Sequence, residues 1–535
     1  MRSLEIPYQE EKTKRYRFFE MLPGLLTWLT LLLPGVLSFF NARLAVFFIL
    51  AYLLIWFAKS VGINVRALQG YRVLEQHKKL PWTQMLHDLS SGKPAQPDRH
   101  IPTWHYENIR RIQEQPTPIS APDIVHAIII AAYNEGREVL EPTIKSVLSS
   151  DYDMSRVILI IAYEARDGAQ SEKPSQDMVA EYGDYFKHAM AIKHPLTPKE
   201  VRGKGGNITH AARKLQAYLE GEGIDPLNVI VTTLDSDNRP HPKYLAALSY
   251  VYAVTPDPLY VSYQPIPMFT NNIWDAPAPM RVIATGNSFW NIILSVRQHM
   301  IRNFSSHAQS MQTLIDTDYW SVRTIVEDGH QFWRTYFRYD GKHDVYPIYL
   351  PIYQDAVLST TYRKTIRAQF VQLRRWAWGA SDIPYVVEKG FFTPNSVPKL
   401  DLIFKFFRLL ESHWSWATAP LILAFSAFIP ALLNPDDYAA IQLPIIASNI
   451  QRIALTGIFI TLFLSLKSLP PKPKRYRSHR TLFMVLQWVL LPVTSIAFNS
   501  LAALNSQTRL LFGRYLGRFD VTDKAVVTED KKRII

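Results

Sequence analysis

The chain has 535 residues, 48% of them hydrophobic and 13% aromatic, so it exceeds one ordinary domain and cannot be a disordered polypeptide. Its 59 Lys and Arg against 46 Asp and Glu give +13, which suits nucleic acid, anionic lipid or a phosphorylated substrate equally; the location of the charge must decide. With no cysteine there is neither a disulfide framework nor a thiolate metal site.

Met21 to Phe40 is almost free of charge, and Leu44 to Ala58 is a second apolar run that can extend to Asn64. A membrane span needs about 20 apolar residues, so the two predict a helical hairpin. The late start and the second run directly after the first do not fit a cleaved signal peptide. Lys12, Lys14, Arg15 and Arg17 precede the hairpin, and Lys59, Arg66, Arg72, Lys78 and Lys79 follow it, so the positive-inside rule places both ends in the cytoplasm. Arg72 to Pro122 reads as a juxtamembrane helix and linker.

From Pro122 to Tyr385 short apolar runs alternate with amphipathic stretches, the pattern of an α/β domain. Strands are predicted at Val125–Ala132, Val157–Tyr163 and Val229–Leu234, with helices at Glu138–Leu148 and Gln176–Tyr185. An open α/β sheet presents ligands at the carboxyl ends of its strands. There stand Asn134 and Glu135, then Glu164 and Asp167, then Asp235 and Asp237. No internal repeat or nucleic-acid motif is present.

Asp235-Ser-Asp237 places two hard carboxylates at a strand end, suited to Mg²⁺ or Mn²⁺ holding a diphosphate; an acidic turn capping the next helix is the plain alternative. Lys204 stands in the glycine-rich loop Arg202–Asn207, whose amides could cradle phosphates or simply form a flexible turn ahead of the helical run Ile208 to Leu219. Glu327-Asp328 opens another predicted helix, where a carboxylate serves either as a cap or as a general base.

Gln372-Leu-Arg-Arg-Trp376 is basic and aromatic and lies beside membrane-length segments. Arg374 and Arg375 can donate to phosphate oxygens, Trp376 and Trp378 can wall a sugar ring, and Gln372 can bond hydroxyls. A helix resting on a membrane surface would look the same. Spans are predicted at Trp414–Leu433 and Ile441–Leu466, joined by the acidic turn Asn434–Asp437 and followed by the basic loop Lys472–Arg480. Thr481–Leu504, with Pro492 at its centre, is expected to be a re-entrant or interfacial helical hairpin.

The order IIAAYNE, a strand ending in an acid, RGKGGN, DSD, ED and QLRRW resembles membrane-integrated glycosyltransferases of family 2, the group containing cellulose and hyaluronan synthases. The resemblance implies a GT-A, Rossmann-like α/β domain inserted between transmembrane helices, and inverting sugar transfer from a nucleotide-diphospho-sugar, a UDP-sugar by preference. It implies that Asp235 and Asp237 hold the metal and diphosphate, that Asp328 is the base beside Glu327, and that Gln372, Arg375 and Trp376 bind donor and acceptor. Ala132, Tyr133 and Glu135 would border the nucleotide, Lys204 would lie near its base or phosphates, and Glu164 would replace the family's aspartate pair. Phe519, Val521, Thr522 and Lys524 match the FxVTxK gating loop of cellulose synthases.

The expected organisation is a hairpin at 1–70, a linker at 71–121, the GT-A domain at 122–385, interfacial and transmembrane helices at 386–504, and an amphipathic helix with the gating tail at 505–535. The expected protein is a multi-pass protein of the plasma or inner membrane with a cytoplasmic catalytic domain. Its partners would be the donor, a glycan or lipid-linked acceptor and the bilayer, with no nucleic acid. Two rivals are a non-processive polyprenyl-phosphate sugar transferase and an inactive membrane scaffold.

Overall fold

The computed structural model describes residues 3–93, 101–477 and 479–517. Its centre is an eight-stranded mixed sheet in the order β3-β2-β1-β4-β7-β6-β8-β5. The strands are β1 (Val125–Ala132), β2 (Val157–Glu164), β3 (His188–His194), β4 (Val229–Asp235), β5 (Arg239–Pro240), β6 (Val261–Phe269), β7 (Ala308–Ser310) and β8 (Asp344–Gln354). β1 runs parallel to both β2 and β4, with Ile129 opposite Ile160 and Ala131 opposite Asp235. Every residue of β2 is buried, which is why it reads as an unbroken apolar run instead of an alternating one. The β1 and β2 expectations are met almost to the residue.

Beyond β4 the sheet turns antiparallel through β7, then β6 and β8 pair in parallel with a register shift at Pro265/Ile266. These strands are disguised in the sequence by prolines, which cannot donate to a ladder. Pro265 and Pro267 are tolerated in an interior strand because β7 is only three residues long and pairs with β6 only at Ser262 and Tyr263. One face of the sheet packs Ile128, Ile130, Leu159 and Ile161 against Leu140, Ile144 and Met178. The other packs Ile129, Ile158, Ile160 and Val231 against Ile208, Ala212 and Leu215.

Among the described residues, four helices are long and apolar enough to cross a membrane: Lys14–Phe40, Ala42–Lys79, Tyr438–Lys467 and His479–Leu511. The second runs past the expected hairpin limit to Lys79 without a break and carries the bundle into the sheet domain. Gly70 permits this close packing, since a Cβ there would stand 2.5 Å from the carbonyl oxygen of Ile292 in the helix Ala278–Ser295.

The segment expected at 414–433 is not one of the four; its helix Lys399–Phe425 breaks and resumes at Phe428–Leu433. The two pieces still follow the length of the first two helices. Glu411 pairs with Lys59 at 2.6 Å near one end, and Asn434 donates to the carbonyl of Ser38 at 3.0 Å near the other.

Residues 481–504 do not reverse as a hairpin. They belong to an uninterrupted helical rod, with a 3-10 turn at Gln487–Leu490 before Pro492 and a π-helical stretch at Ser495–Ser500 after it. These irregular turns absorb the clash and the lost N–H bond of the proline, so no turn is needed. Both ends of the rod nevertheless touch the sheet-domain side. Arg480 donates to the carbonyl of Trp274 at 2.8 Å. Arg17, at the start of the first helix, donates to the carbonyls of Leu510 and Leu511 at 2.6 and 2.7 Å.

Candidate functional site

The carboxyl ends of β1, β2 and β4 and the heads of two helices meet in one place. At the end of β1, Ala132 is buried and Asn134 takes a left-handed backbone (φ 58°), with its N–H donating to Asp167 and, at 2.8 Å, to Ser171 Oγ. That turn aims Glu135 inward. Its carboxylate accepts the Tyr133 N–H at 2.5 Å and the Ser236 hydroxyl at 2.7 Å, tying β1 to the turn after β4.

At the end of β2, buried Glu164 lies 3.4 Å from both His194 Nδ1 and Arg166 Nε. Arg166 stacks over Tyr133, 4.4 Å from the ring centroid. Tyr133 and Glu164 therefore share one basic neighbour. Burial opposes the His194 imidazolium, but Glu164 and Glu200 outweigh it and raise its pKa.

The glycine-rich segment is not a loop ahead of its helix: the helix begins at Lys204 and continues to Glu222. Gly205 and Gly206 form its first turn, and a Cβ on Gly205 would stand 2.4 Å from the carbonyl oxygen of Ser321. The glycines thus serve close approach, and the approach points Lys204 across the sheet. Its Nζ lies 2.8 Å from Asp235 Oδ1, while Ser305 Oγ donates to Asp235 Oδ2 at 2.7 Å. Burial disfavours the Lys204 ammonium, yet Asp235, Glu327 and Asp328 together raise its pKa.

Glu327 and Asp328 open the helix Glu327–Arg338, as expected. Asp328 Oδ1 accepts the Gly329 N–H at 2.7 Å. Burial raises the pKa of Asp328, with Lys204, the Gly329 amide and Arg375 opposing. Glu327, also pushed by burial and by Asp328, rises to about 7. Its Oε2 is enclosed without a hydrogen-bond partner.

Asp237 Oδ2 accepts the Asp355 N–H at 2.9 Å. Among the described residues no group of three or more His, Asp or Glu is arranged to hold a metal ion.

The QLRRW residues lie on the helix Tyr362–Ala377, capped by Thr361. Leu373 and Ala377 are buried, Trp376 lies 5.9 Å from the Phe269 ring, and Gln372 accepts from Gln369 at 3.1 Å. Arg375 is close enough to Glu327 and Asp328 to lower both pKa values. Just beyond, buried Asp382 accepts from or pairs with His330 Nδ1 at 2.7 Å, fastening the Glu327 helix to the segment that follows Trp376.

The fold therefore gathers Asp235, Lys204, Glu327, Asp328 and Arg375, with Glu135 bracing the turn that bears Asp235 and Asp237. Sequence reasoning missed Ser305, His330 and Asp382; His330 stands two residues after Asp328 and Asp382 six after Trp376, and that nearness was the available signal. Phe519, Val521, Thr522 and Lys524 lie outside the described residues.

No protein-family model matches the chain, and no curated protein matches it. Solved structures similar to it include the mannosyltransferase PcManGT from Pyrobaculum calidifontis in complex with GDP-Man and Mn²⁺, at 14% identity, covering 83% of this chain and 98% of that one, with a TM-score of 0.41. Another is S. aureus TarS 1-349 in complex with UDP-GlcNAc, at 13% identity, covering 77% of this chain and 99% of that one, TM-score 0.36. A third is GalNAc-T7 with UDP, GalNAc and Mn²⁺, at 11% identity, covering 54% and 58%, TM-score 0.32.

Proposed function

We propose that the protein is a membrane-embedded, inverting glycosyltransferase of GT-A type and family 2 kind, which takes sugar from a nucleotide-diphospho-sugar and extends a polysaccharide or glycosylates a lipid-linked acceptor. The observation that carries this reading is the convergence of Asp235, Lys204, Glu327 and Asp328, with Arg375 beside them, at the carboxyl ends of parallel strands. The positive-inside pattern and the apolar helices support a multi-pass protein with this site on the cytoplasmic face.

In this reading Asp328 is the base, and burial strengthens it by raising its pKa. It accepts the proton of an acceptor hydroxyl as that oxygen bonds to the anomeric carbon and the bond from that carbon to the diphosphate oxygen breaks. One displacement inverts the centre. Lys204 and Arg375 offer fixed positive charge to the departing diphosphate. Ala132, Tyr133, Glu135 and Glu164 border the nucleotide, and Gln372 and Trp376 hold the sugar or acceptor.

The chemistry of the donor set suits a hard divalent ion shared with the diphosphate: two aspartates two residues apart, Asp235 with its side chain 38% exposed. Asp235 and Asp237 would hold Mg²⁺ or Mn²⁺, which when bound neutralises charge on the phosphates.

The test is the purified full-length enzyme in lipid, screened against UDP- and GDP-sugars with Mg²⁺ or Mn²⁺, with released nucleotide and product size both measured. Asp328→Asn should abolish transfer, a loss of about 10²–10⁴-fold or more, yet still bind nucleotide. Wild-type turnover by that variant would remove the assignment. Lys524→Ala should bind nucleotide more weakly if the tail closes over it.

A further inference from the structure

Away from the site, four arginines crowd the junction between the bundle and the sheet domain. Arg66 belongs to the second membrane-length helix, Arg297 follows the helix Ala278–Ser295, Arg302 lies five residues further on, and Arg408 sits on the helix Lys399–Phe425. Their contacts are with backbone and rings, not with carboxylates. Arg408 Nη1 donates to the His299 carbonyl at 2.8 Å, Arg302 Nη1 to the Ile301 carbonyl at 2.9 Å, and Arg66 Nη1 only to the Gly62 carbonyl at 3.4 Å. Arg302 also lies over the Phe332 ring, 4.1 Å from its centroid.

Among the described residues Arg297 has no side-chain hydrogen-bond partner, and its Nε is enclosed. Three carboxylates lie near the cluster: Glu411 is committed to Lys59 at 2.6 Å, Asp401 to Lys405 and the Tyr336 hydroxyl, and Asp344, beside Arg302, accepts the Val345 N–H at 2.9 Å. The crowding is felt electrically. Burial first, and then Arg66 and Arg408, lower the pKa of Arg297; burial and Arg408 push Arg302 down to about 10. Such a cluster is destabilising by itself and calls for an anion, and guanidinium forks match phosphate oxygens best.

Exposed apolar side chains share the helices that carry two of these arginines. On the helix of Arg66, Val61 and Val65 are 51% and 50% exposed, and on that of Arg408, Phe404 and Phe407 are 63% and 60% exposed. Arg66 follows Lys59 by two helical turns, about 10 Å, where the apolar run gives way to charge and lipid headgroups would lie.

We propose that this arginine cluster binds the phosphate of an anionic membrane lipid, held by Arg66, Arg297 and Arg408, with the acyl chains along Val61, Val65, Phe404 and Phe407. A soluble phosphate would use the guanidinium groups but leave those apolar side chains bare.

The test uses the full-length protein in phosphatidylcholine nanodiscs with and without phosphatidic acid. The anionic lipid should raise the Tm of the wild type and leave unchanged that of an Arg297→Gln, Arg408→Gln double variant. In phosphatidylcholine alone the variant should melt at or above the wild type, because like charges no longer crowd one another, and this also reports that it is folded. Spin-labelled phosphatidic acid should be retained about tenfold less by the variant. Equal retention by both proteins, or no lipid-dependent shift in the wild type, would overturn the site. Displacement of the labelled lipid by inorganic phosphate alone would reassign it to a soluble anion and overturn the lipid proposal.

Discussion

Lys204 Nζ meets Asp235 Oδ1 at 2.8 Å, and this contact converts a glycine-rich segment and an acidic strand end into one electrostatic unit. A lysine in the first turn of a helix opposes the positive end of the helix dipole. Here that penalty is offset by three carboxylates, Asp235, Glu327 and Asp328, that face the same ammonium.

The glycine that allows this approach is testable. A Cβ on Gly205 would press on the Ser321 carbonyl and stand 3.2 Å from Glu327 Cβ. Gly205→Ala should destabilise the protein by about 1–3 kcal/mol and lower kcat by shifting the Glu327 helix. Thermal melts and steady-state rates check both; an unchanged Tm would show that the helix head yields freely.

Glu327 carries a pH signature. Its folded pKa of about 7 lies above its ordinary 4.5, so its contribution to stability is complete below about pH 4.5 and is lost as pH rises through about 7. Glu327→Gln stays neutral throughout. The gap between variant and wild-type Tm should therefore shift in favour of the variant as pH rises from about 4.5 to 8. A gap independent of pH would show that Glu327 is ionised at ordinary cost.

Asp382 and His330 are both buried, and His330 Nε2 already lacks a hydrogen-bond partner. Asp382→Ala should destabilise by about 1–3 kcal/mol by leaving the ring without its remaining partner. Because His330 is two residues from Asp328, kcat should fall while donor KM changes little, and Asp382→Asn, which keeps an acceptor, should recover most of the loss. A rise in KM alone would contradict a positioning role.

The segment ahead of the first helix is part of the same framework. Glu5 pairs with fully buried Arg334 in the Glu327 helix and accepts the Ser321 hydroxyl at 2.7 Å. Glu5→Ala strands the Arg334 charge and should cost about 3 kcal/mol. Urea denaturation in detergent, comparing midpoints, measures it; an unchanged midpoint would mean that the carbonyls of Leu4 and Thr317 suffice for Arg334.

Much of the sheet was legible because β1, β2 and β4 are buried on both faces and leave apolar runs bounded by polar residues. β6 and β8 were hidden by Pro265, Pro267, Pro347 and Pro351, whose tolerance depends on which neighbours the strands have. The membrane segments were visible as composition. The break after Phe425 and the unbroken passage through Pro492 were not, since packing decides whether a local irregularity ends a helix.

The sequence by itself determined which chemical groups stand at strand ends and helix heads: Asp235 after a buried strand, Glu327 and Asp328 opening a helix, and Arg375 on a basic aromatic one. Only the tertiary structure decided which of them meet. Lys204 reaches Asp235 because Gly205 lets its helix close on Ser321, and Asp382 reaches His330 across 52 residues of chain. Local propensity acts over a few residues, whereas distances between distant groups are set by the packing of whole elements, and that information is spread over every buried side chain.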